Sequence, residues 1–141
     1  MDLFITDFIA FATQQWPFML LLLVLVAVLA FMESKKGGQV LSVYEATRMV
    51  NSGDAVFLDV RENKDFKNGH IVDALNIPHT KLLNRIDELK KQKGKTIIVV
   101  DKMGQHAGAS GKVLKENDHT ANRMRGGMSE WSGQNLPVVK G

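Results

Sequence analysis

The stretch TIIVVDKMGQH, residues 96–106, joins a hydrophobic strand to a polar loop and decides the fold. Thr96 to Val100 is an unbroken run of β-branched residues, which is typical of a strand buried on both faces of a parallel sheet. Asp101 to His106 then forms a loop before a predicted helix around Ala107 to Glu116. A loop at this end of a parallel strand points its N–H groups into a crevice, together with the positive end of the next helix dipole. The sequence therefore predicts the functional site at Asp101.

Strand and helix signals alternate along the rest of the chain after residue 40. Ser42 and Glu45 have the spacing of a capping box and begin a helix that Gly53 ends. An amphipathic helix is predicted from Thr80 to Gln92, and its apolar face carries Leu82, Leu83, Ile86 and Leu89. The other predicted elements are strands at Ala55–Val60, Ala74–Ile77 and Asn122–Met124, a helical turn from Lys64 to Gly69, and a helical turn that contains Trp131. This order predicts an α/β sandwich with a mostly parallel sheet.

Three motifs frame the predicted loop: Leu58-Asp59-Val60-Arg61, Gly69-His70-Ile71, and Arg125-Gly126-Gly127 followed by Trp131. In this order and at these distances they resemble the rhodanese family. The resemblance covers essentially all of the predicted domain at residues 40–141. It implies a three-layer sandwich around a mostly parallel central sheet.

The same resemblance gives Asp101 its significance. In the rhodanese family the first loop residue is the cysteine that carries a persulfide, with glycine three places on, arginine five on and serine six on. This sequence has Asp101, Gly104, His106 and Ala107 at those positions and contains no cysteine at all. Only sulfur can accept and pass on a sulfane atom. We therefore expect a degenerate reaction centre without sulfurtransferase activity.

Two roles remain open for Asp101. If the loop keeps its inward N–H groups, the carboxylate would accept their hydrogen bonds and fill the site with its own negative charge. Alternatively, the loop is a residual enzyme or anion receptor, with Asp101 as a nucleophile for phosphoryl transfer. That chemistry needs magnesium held by further carboxylates, so Asp59 or Asp73 would have to approach through the fold. We expect the first role, with no catalytic residue and no cofactor.

The framing motifs are expected to be structural. Asp59 and Arg61 would hold neighbouring loops together through a charge-assisted pair. We expect His70, next to Gly69, to pack and to form hydrogen bonds, and Trp131 to cover the core. Gly126 and Gly127 belong to the same structural set.

The loop side chains are the ones most exposed to a partner. Lys102 and Met103 have the greatest freedom to meet another protein, and Gln105 follows Gly104 in the same loop. His106 would replace the family's arginine as a weaker cation whose charge depends on pH. The four histidines lack the spacing of metal ligands, so no metal site is expected.

The N-terminal segment is expected to anchor the chain in a membrane. Residues 8–32 carry no charge, and the stretch is long enough to cross a bilayer. A cleaved signal peptide is the alternative, but the N-terminal flank carries Asp2 and Asp7 and lacks the basic residues that such a peptide requires. We therefore assign residues 1–33 to a transmembrane anchor and residues 34–39 to a linker. Within this linker, residues 34–38 are expected to form a short flexible tether.

Charge predicts both the orientation and the kind of partner. Lys35 and Lys36 follow the span, so the positive-inside rule places the domain in the cytoplasm. The architecture is similar to that of small membrane-anchored bacterial members of the rhodanese family, and this resemblance implies attachment to the bacterial inner membrane. Basic residues are interleaved with acidic ones, which argues against nucleic-acid binding. The sequence thus predicts an interaction module for another membrane or membrane-associated protein.

Overall fold

The structure is a computed structural model that describes residues 1–35 and 37–141, without the Ser34 side chain. Lys36, which was assigned to the linker and to the basic flank of the anchor, lies outside the described residues. The chain separates into two compact units, Met1–Ser34 and Lys35–Gly141.

The first unit is a single apolar helix, which continues one residue into the second. Helix α1 spans Asp2–Lys35, and an 18-residue window within its section Asp2–Glu33 reaches a mean hydropathy of 2.4. Its large apolar side chains are exposed along the whole length. By length and composition this helix could cross a membrane.

The second unit alternates strands and helices, as the sequence predicts. Its α-helices are α2 Val43–Asn51, α3 Asn63–Asn68, α4 Ala107–Glu116 and α5 Gly127–Gly133. Its strands are β1 Val40–Leu41, β2 Ala55–Asp59, β3 Leu75–Asn76, β4 Thr96–Val100 and β5 Thr120–Met124. Two short 3-10 helices, His79–Lys81 and Ile86–Gln92, lie between β3 and β4.

The five strands form one sheet in the order β1-β5-β4-β2-β3, with all neighbours parallel. The central strand β4 alternates its side chains between two hydrophobic clusters. Ile98 and Val100 pack with residues of α2 and α5, whereas Ile97 and Val99 pack with α4 and the 3-10 segment. Because both faces of the sheet are covered, the domain has three layers. The predicted α/β sandwich with a parallel sheet is confirmed.

The predicted amphipathic helix from Thr80 to Gln92 is wrong. The segment instead forms the two 3-10 helices with turns between them. Leu82 and Leu89 are buried, but Leu83 is 63% exposed. A 3-10 helix has about 3.0 residues per turn instead of 3.6, so the apolar positions no longer lie on one stripe.

The predicted flexibility of the linker is wrong for Gly37 and Gly38. Both residues are buried, and a Cβ atom on Gly37 would approach the Gly108 carbonyl oxygen of α4 to 2.6 Å. A Cβ atom on Gly38 would overlap the Ala121 carbonyl oxygen of β5, and this residue has φ +92°. The chain therefore packs closely on the domain from Gly37 onward, and positions 37 and 38 have room only for glycine.

Trp131 should be a major source of stability. It is 6% exposed, its ring meets Phe57 edge-on at 6.1 Å between centroids, and its Nε1–H donates to the Pro137 carbonyl at 3.0 Å. We expect Trp131→Ala to lower the free energy of unfolding by about 3–5 kcal/mol because it leaves a large cavity. Urea unfolding followed by circular dichroism measures the loss. The control Tyr44→Ala removes an exposed ring and should stay within about 0.5 kcal/mol of the parent. A similarly small loss for Trp131→Ala would contradict the packing.

Candidate functional site

Asp101 follows the last residue of β4 and turns its carboxylate back into its own loop. The residue is only 2% exposed. Its Oδ1 accepts a hydrogen bond from the Gly104 N–H, and its Oδ2 accepts one from the His106 N–H at 2.6 Å. Both carboxylate oxygens are therefore bound by the backbone of the loop that the residue begins. The arrangement supplies a negative charge next to the first turn of α4, where the helix dipole is positive.

Gly104 allows the loop to close on Asp101. Its φ is +98°, which lies in the left-handed region that residues other than glycine rarely adopt. The turn brings the Gly104 N–H to face the carboxylate, and His106 then precedes the first residue of α4. Without a carboxylate at position 101, these two N–H groups would have no partner in the loop.

The turn at Gly126–Gly127 brings the start of α5 into hydrogen-bonding contact with the loop. The Met128 N–H donates to the Asp101 carbonyl at 2.8 Å, and the Ser129 N–H donates to the Lys102 carbonyl at 2.9 Å. A Cβ atom on Gly127 would overlap the Asp101 carbonyl oxygen and come within 2.9 Å of Oδ1. The glycine therefore permits close contact between α5 and the loop. Sequence reasoning assigned the glycine pair to structure but did not connect it to Asp101.

Asp59 and Arg61 form a charge-assisted pair at the end of β2. Arg61 Nη2 lies 2.7 Å from Asp59 Oδ2, and Nε lies 3.0 Å from Oδ1. The same Nη2 donates to the Gly69 carbonyl at 2.8 Å, so the pair connects the end of β2 to the end of α3. Since Asp59 is buried and fully engaged by Arg61, its carboxylate serves this connection.

A pocket of about 180 Å³ opens beside the loop. The rings of His79 and His106 stack at its edge, with centroids 3.9 Å apart and planes at 6°. Sequence reasoning missed His79, although Pro78-His79 follows β3 at the same sheet edge as Asp101. The lining residues are Val60, Arg61, Glu62, Asp65, His79, Asp101, Lys102, Gln105 and His106.

Two framing residues lie away from this pocket. The His70 ring stacks on Phe66 at 3.7 Å, its Nδ1 lies 2.8 Å from the Phe66 carbonyl, and its backbone pairs with Val139. Trp131 faces the hydrophobic core with Phe57. These two residues stabilise the domain but do not line the loop pocket.

The remaining ionisable candidates also lie elsewhere. Asp73 is exposed with φ +63° and does not line the loop pocket. His119 is buried before β5, and burial together with the nearby Lys93 lowers the pKa of its imidazole below the usual 6.5. Within residues 1–35 and 37–141, no group of three or more His, Cys, Asp or Glu side chains is arranged to hold a metal ion.

Comparison with known proteins identifies the class of domain. The model of the rhodanese-like domain family matches residues 42–134. The chain belongs to this family. Its relatives include the protein YibN of Escherichia coli strain K12, which is 37% identical over 122 residues that cover 85% of each chain. The protein YqhL of Bacillus subtilis is 31% identical over 81 residues, covering 57% of this chain and 63% of YqhL.

Solved structures show the same fold. A rhodanese-related protein from Thermoplasma volcanium superposes with a TM-score of 0.66 at 22% identity, over 72% of this chain and 98% of that one. A thiosulfate sulfurtransferase from Pseudomonas aeruginosa gives a TM-score of 0.67 at 18% identity, over 77% of this chain and 21% of that one. At these identities the likeness extends to the fold alone.

Removing one acceptor from Asp101 should destabilise the domain. In Asp101→Asn the amide NH₂ would replace an oxygen that accepts a loop N–H, leaving a buried donor without a partner. We expect a loss of about 1–3 kcal/mol in the free energy of unfolding. Urea unfolding measures it against Asp65→Asn, an exposed carboxylate of the same pocket, which should change stability by less than about 0.5 kcal/mol. Equal effects of the two substitutions would show that the loop N–H groups do not depend on Asp101.

Proposed function

We propose that this protein is a catalytically inactive rhodanese-like domain, anchored in the inner membrane of a bacterium, that binds another protein at the cytoplasmic face. The observation that carries the proposal is the occupied loop. Asp101 stands where the family resemblance places the persulfide cysteine, and both of its oxygens already accept loop N–H bonds. Because the chain has no cysteine, no second thiol can take over the sulfur chemistry.

The loop rim provides the surface for a partner. Lys102, Met103, Gln105 and His106 are exposed above a buried and hydrogen-bonded Asp101, and Met103 is 58% exposed. A rigid loop that presents flexible Lys and Met side chains offers a contact surface with little backbone to order on binding. Membrane attachment favours a partner that is itself a membrane protein or is held at the same surface.

The competing function is a residual enzyme or anion receptor at Asp101. A carboxylate nucleophile needs an oxygen that faces the substrate, whereas both Asp101 oxygens are directed at backbone N–H groups. Its buried negative charge would also repel an anionic substrate. Asp59, one candidate for a second magnesium ligand, is engaged by Arg61. These contacts favour the noncatalytic function.

Activity assays separate the two functions directly. We expect no thiocyanate from thiosulfate and cyanide, because no thiolate is present to carry the sulfane sulfur. We also expect no hydrolysis of a phosphate ester with magnesium. Turnover in the parent protein that is lost in Asp101→Asn and kept in Asp65→Asn would overturn the proposal.

Site-specific crosslinking tests the interaction surface. A photoreactive residue at Met103 should give a discrete adduct in native membranes, whereas one at the exposed Tyr44 of α2 should not. Excess unlabelled parent protein should compete for the adduct. The same excess of a Lys102→Ala/Met103→Ala variant should compete poorly, because it lacks the rim side chains. Strong adducts at Tyr44 without any at Met103 would place the interface elsewhere.

Membrane extraction and a reporter test the anchor and the orientation. Full-length protein should resist carbonate extraction because helix α1 has the length and hydropathy to cross a bilayer. A reporter that is active only in the cytoplasm should be active when it is fused after Gly141, because the positive-inside rule places the domain on that side. An exported reporter would show the opposite orientation. Release of the full-length protein by carbonate would show that it is not anchored in the membrane.

A further inference from the structure

The excess positive charge of the domain is concentrated in one surface segment. Residues 81–95 contain six basic and two acidic residues, whereas the rest of residues 37–141 contains ten of each. The whole net charge of this region therefore comes from 15 consecutive positions. This basic segment includes the second 3-10 helix, Ile86–Gln92, and ends just before β4.

The two acidic residues of the basic segment are already paired within it. Glu88 accepts from Arg85 Nε at 2.6 Å, and Asp87 Oδ1 lies 3.4 Å from Lys90 Nζ. Lys93 donates to the carbonyls of Asn117 and Asp118 at 3.3 Å. Within the basic segment, three exposed ammonium groups have no hydrogen-bond or ion-pair partner among the residues that the structure describes. They belong to Lys81, Lys91 and Lys95.

The basic segment also carries one exposed apolar side chain. Leu83 is 63% exposed and is not part of either hydrophobic cluster, although its neighbour Leu82 is 1% exposed. An exposed leucine costs free energy in water, and one in a lysine-rich segment is typical of a segment that lies at the boundary between headgroups and acyl chains. The combination of free cations and one exposed apolar residue matches an anionic bilayer surface.

We infer that the basic segment docks the domain onto the anionic lipid headgroups of the leaflet beside its anchor. The inference rests on the anchoring part of the proposed function. Five Cα–Cα steps separate Met32, the last uncharged residue of the span, from Gly37, the first residue packed on α4. At about 3.6 Å per residue this distance is at most about 18 Å. The domain therefore stays close to a surface whose negative potential attracts lysine and arginine.

Docking would also orient the loop pocket. The 3-10 helix His79–Lys81 contributes His79 to the pocket and Lys81 to the basic segment. Contact of Lys81 with headgroups would hold the Asp101 rim at a fixed height above the membrane. A partner embedded in the same membrane would then meet the rim in one orientation.

A fluorescent label at Leu83 tests the inference in the full-length protein. Because the chain has no cysteine, Leu83→Cys gives a single site for an environment-sensitive probe. The protein is reconstituted in vesicles of phosphatidylcholine alone or mixed with phosphatidylglycerol, and flotation confirms membrane attachment. We expect the emission maximum of the probe to shift to shorter wavelength only in the anionic vesicles. High salt should reverse this shift, because the Debye length falls from about 10 to about 3 Å and the attraction to the lipid is screened. A label at Tyr44→Cys should not shift.

Charge variants identify the groups that dock. Lys81→Gln/Lys91→Gln/Lys95→Gln should abolish the shift, whereas the matched Lys64→Gln/Lys67→Gln/Lys140→Gln should retain it. Flotation without a shift, or a shift unaffected by the first triple variant, overturns the docking inference alone. Failure to float overturns the anchor as well. A shift that requires native membrane proteins would assign the basic segment to an acidic protein partner instead of lipid.

Discussion

The structure of the site depends on the two hydrogen bonds that Asp101 accepts from its own loop. The loop at the carboxyl end of β4 directs the N–H groups of Gly104 and His106 inward, and buried donors without partners are costly. A carboxylate at position 101 satisfies both donors at once and also supplies the negative charge that the start of α4 favours. The loop conformation can therefore persist without a bound anion.

The surrounding motifs position the segments next to this contact. Gly127 has no Cβ atom, so α5 can approach the Asp101 carbonyl and donate the Met128 N–H to it. The Asp59–Arg61 pair fixes the neighbouring loop after β2, and Arg61 also lines the pocket. These framing residues support the backbone of the loop, whose exposed rim consists of Lys102, Met103, Gln105 and His106. Under the proposed function, the rhodanese-like fold keeps its architecture while the loop serves as the binding surface.

The sequence predicted those features that follow from local patterns. The run Thr96–Val100 gave the central strand with its observed bounds, because a continuous β-branched segment is a strong signal for a buried parallel strand. The inward loop N–H groups followed from the position of Asp101 after that strand. Features set by tertiary packing were not predictable. Leu83 has helical spacing but lies exposed in the turn between the two 3-10 helices, and Gly37 has a linker composition but is held against α4. The stacking of His79 on His106 depends on two distant segments that meet only at the sheet edge.

The thiol pKa of an Asp101→Cys variant tests the central claim most directly. The substituted sulfur would be the only thiol in the chain, so its ionisation can be followed by ultraviolet absorbance without interference. If the loop N–H groups and the start of α4 face position 101, they stabilise the thiolate, and its pKa should lie well below the value of about 8.5 for a free cysteine. The His106→Arg substitution in the same variant should lower the thiol pKa further by adding a permanent positive charge. A thiol with a pKa of about 8.5 in both variants would contradict the account, because it would show that no N–H groups converge on this position.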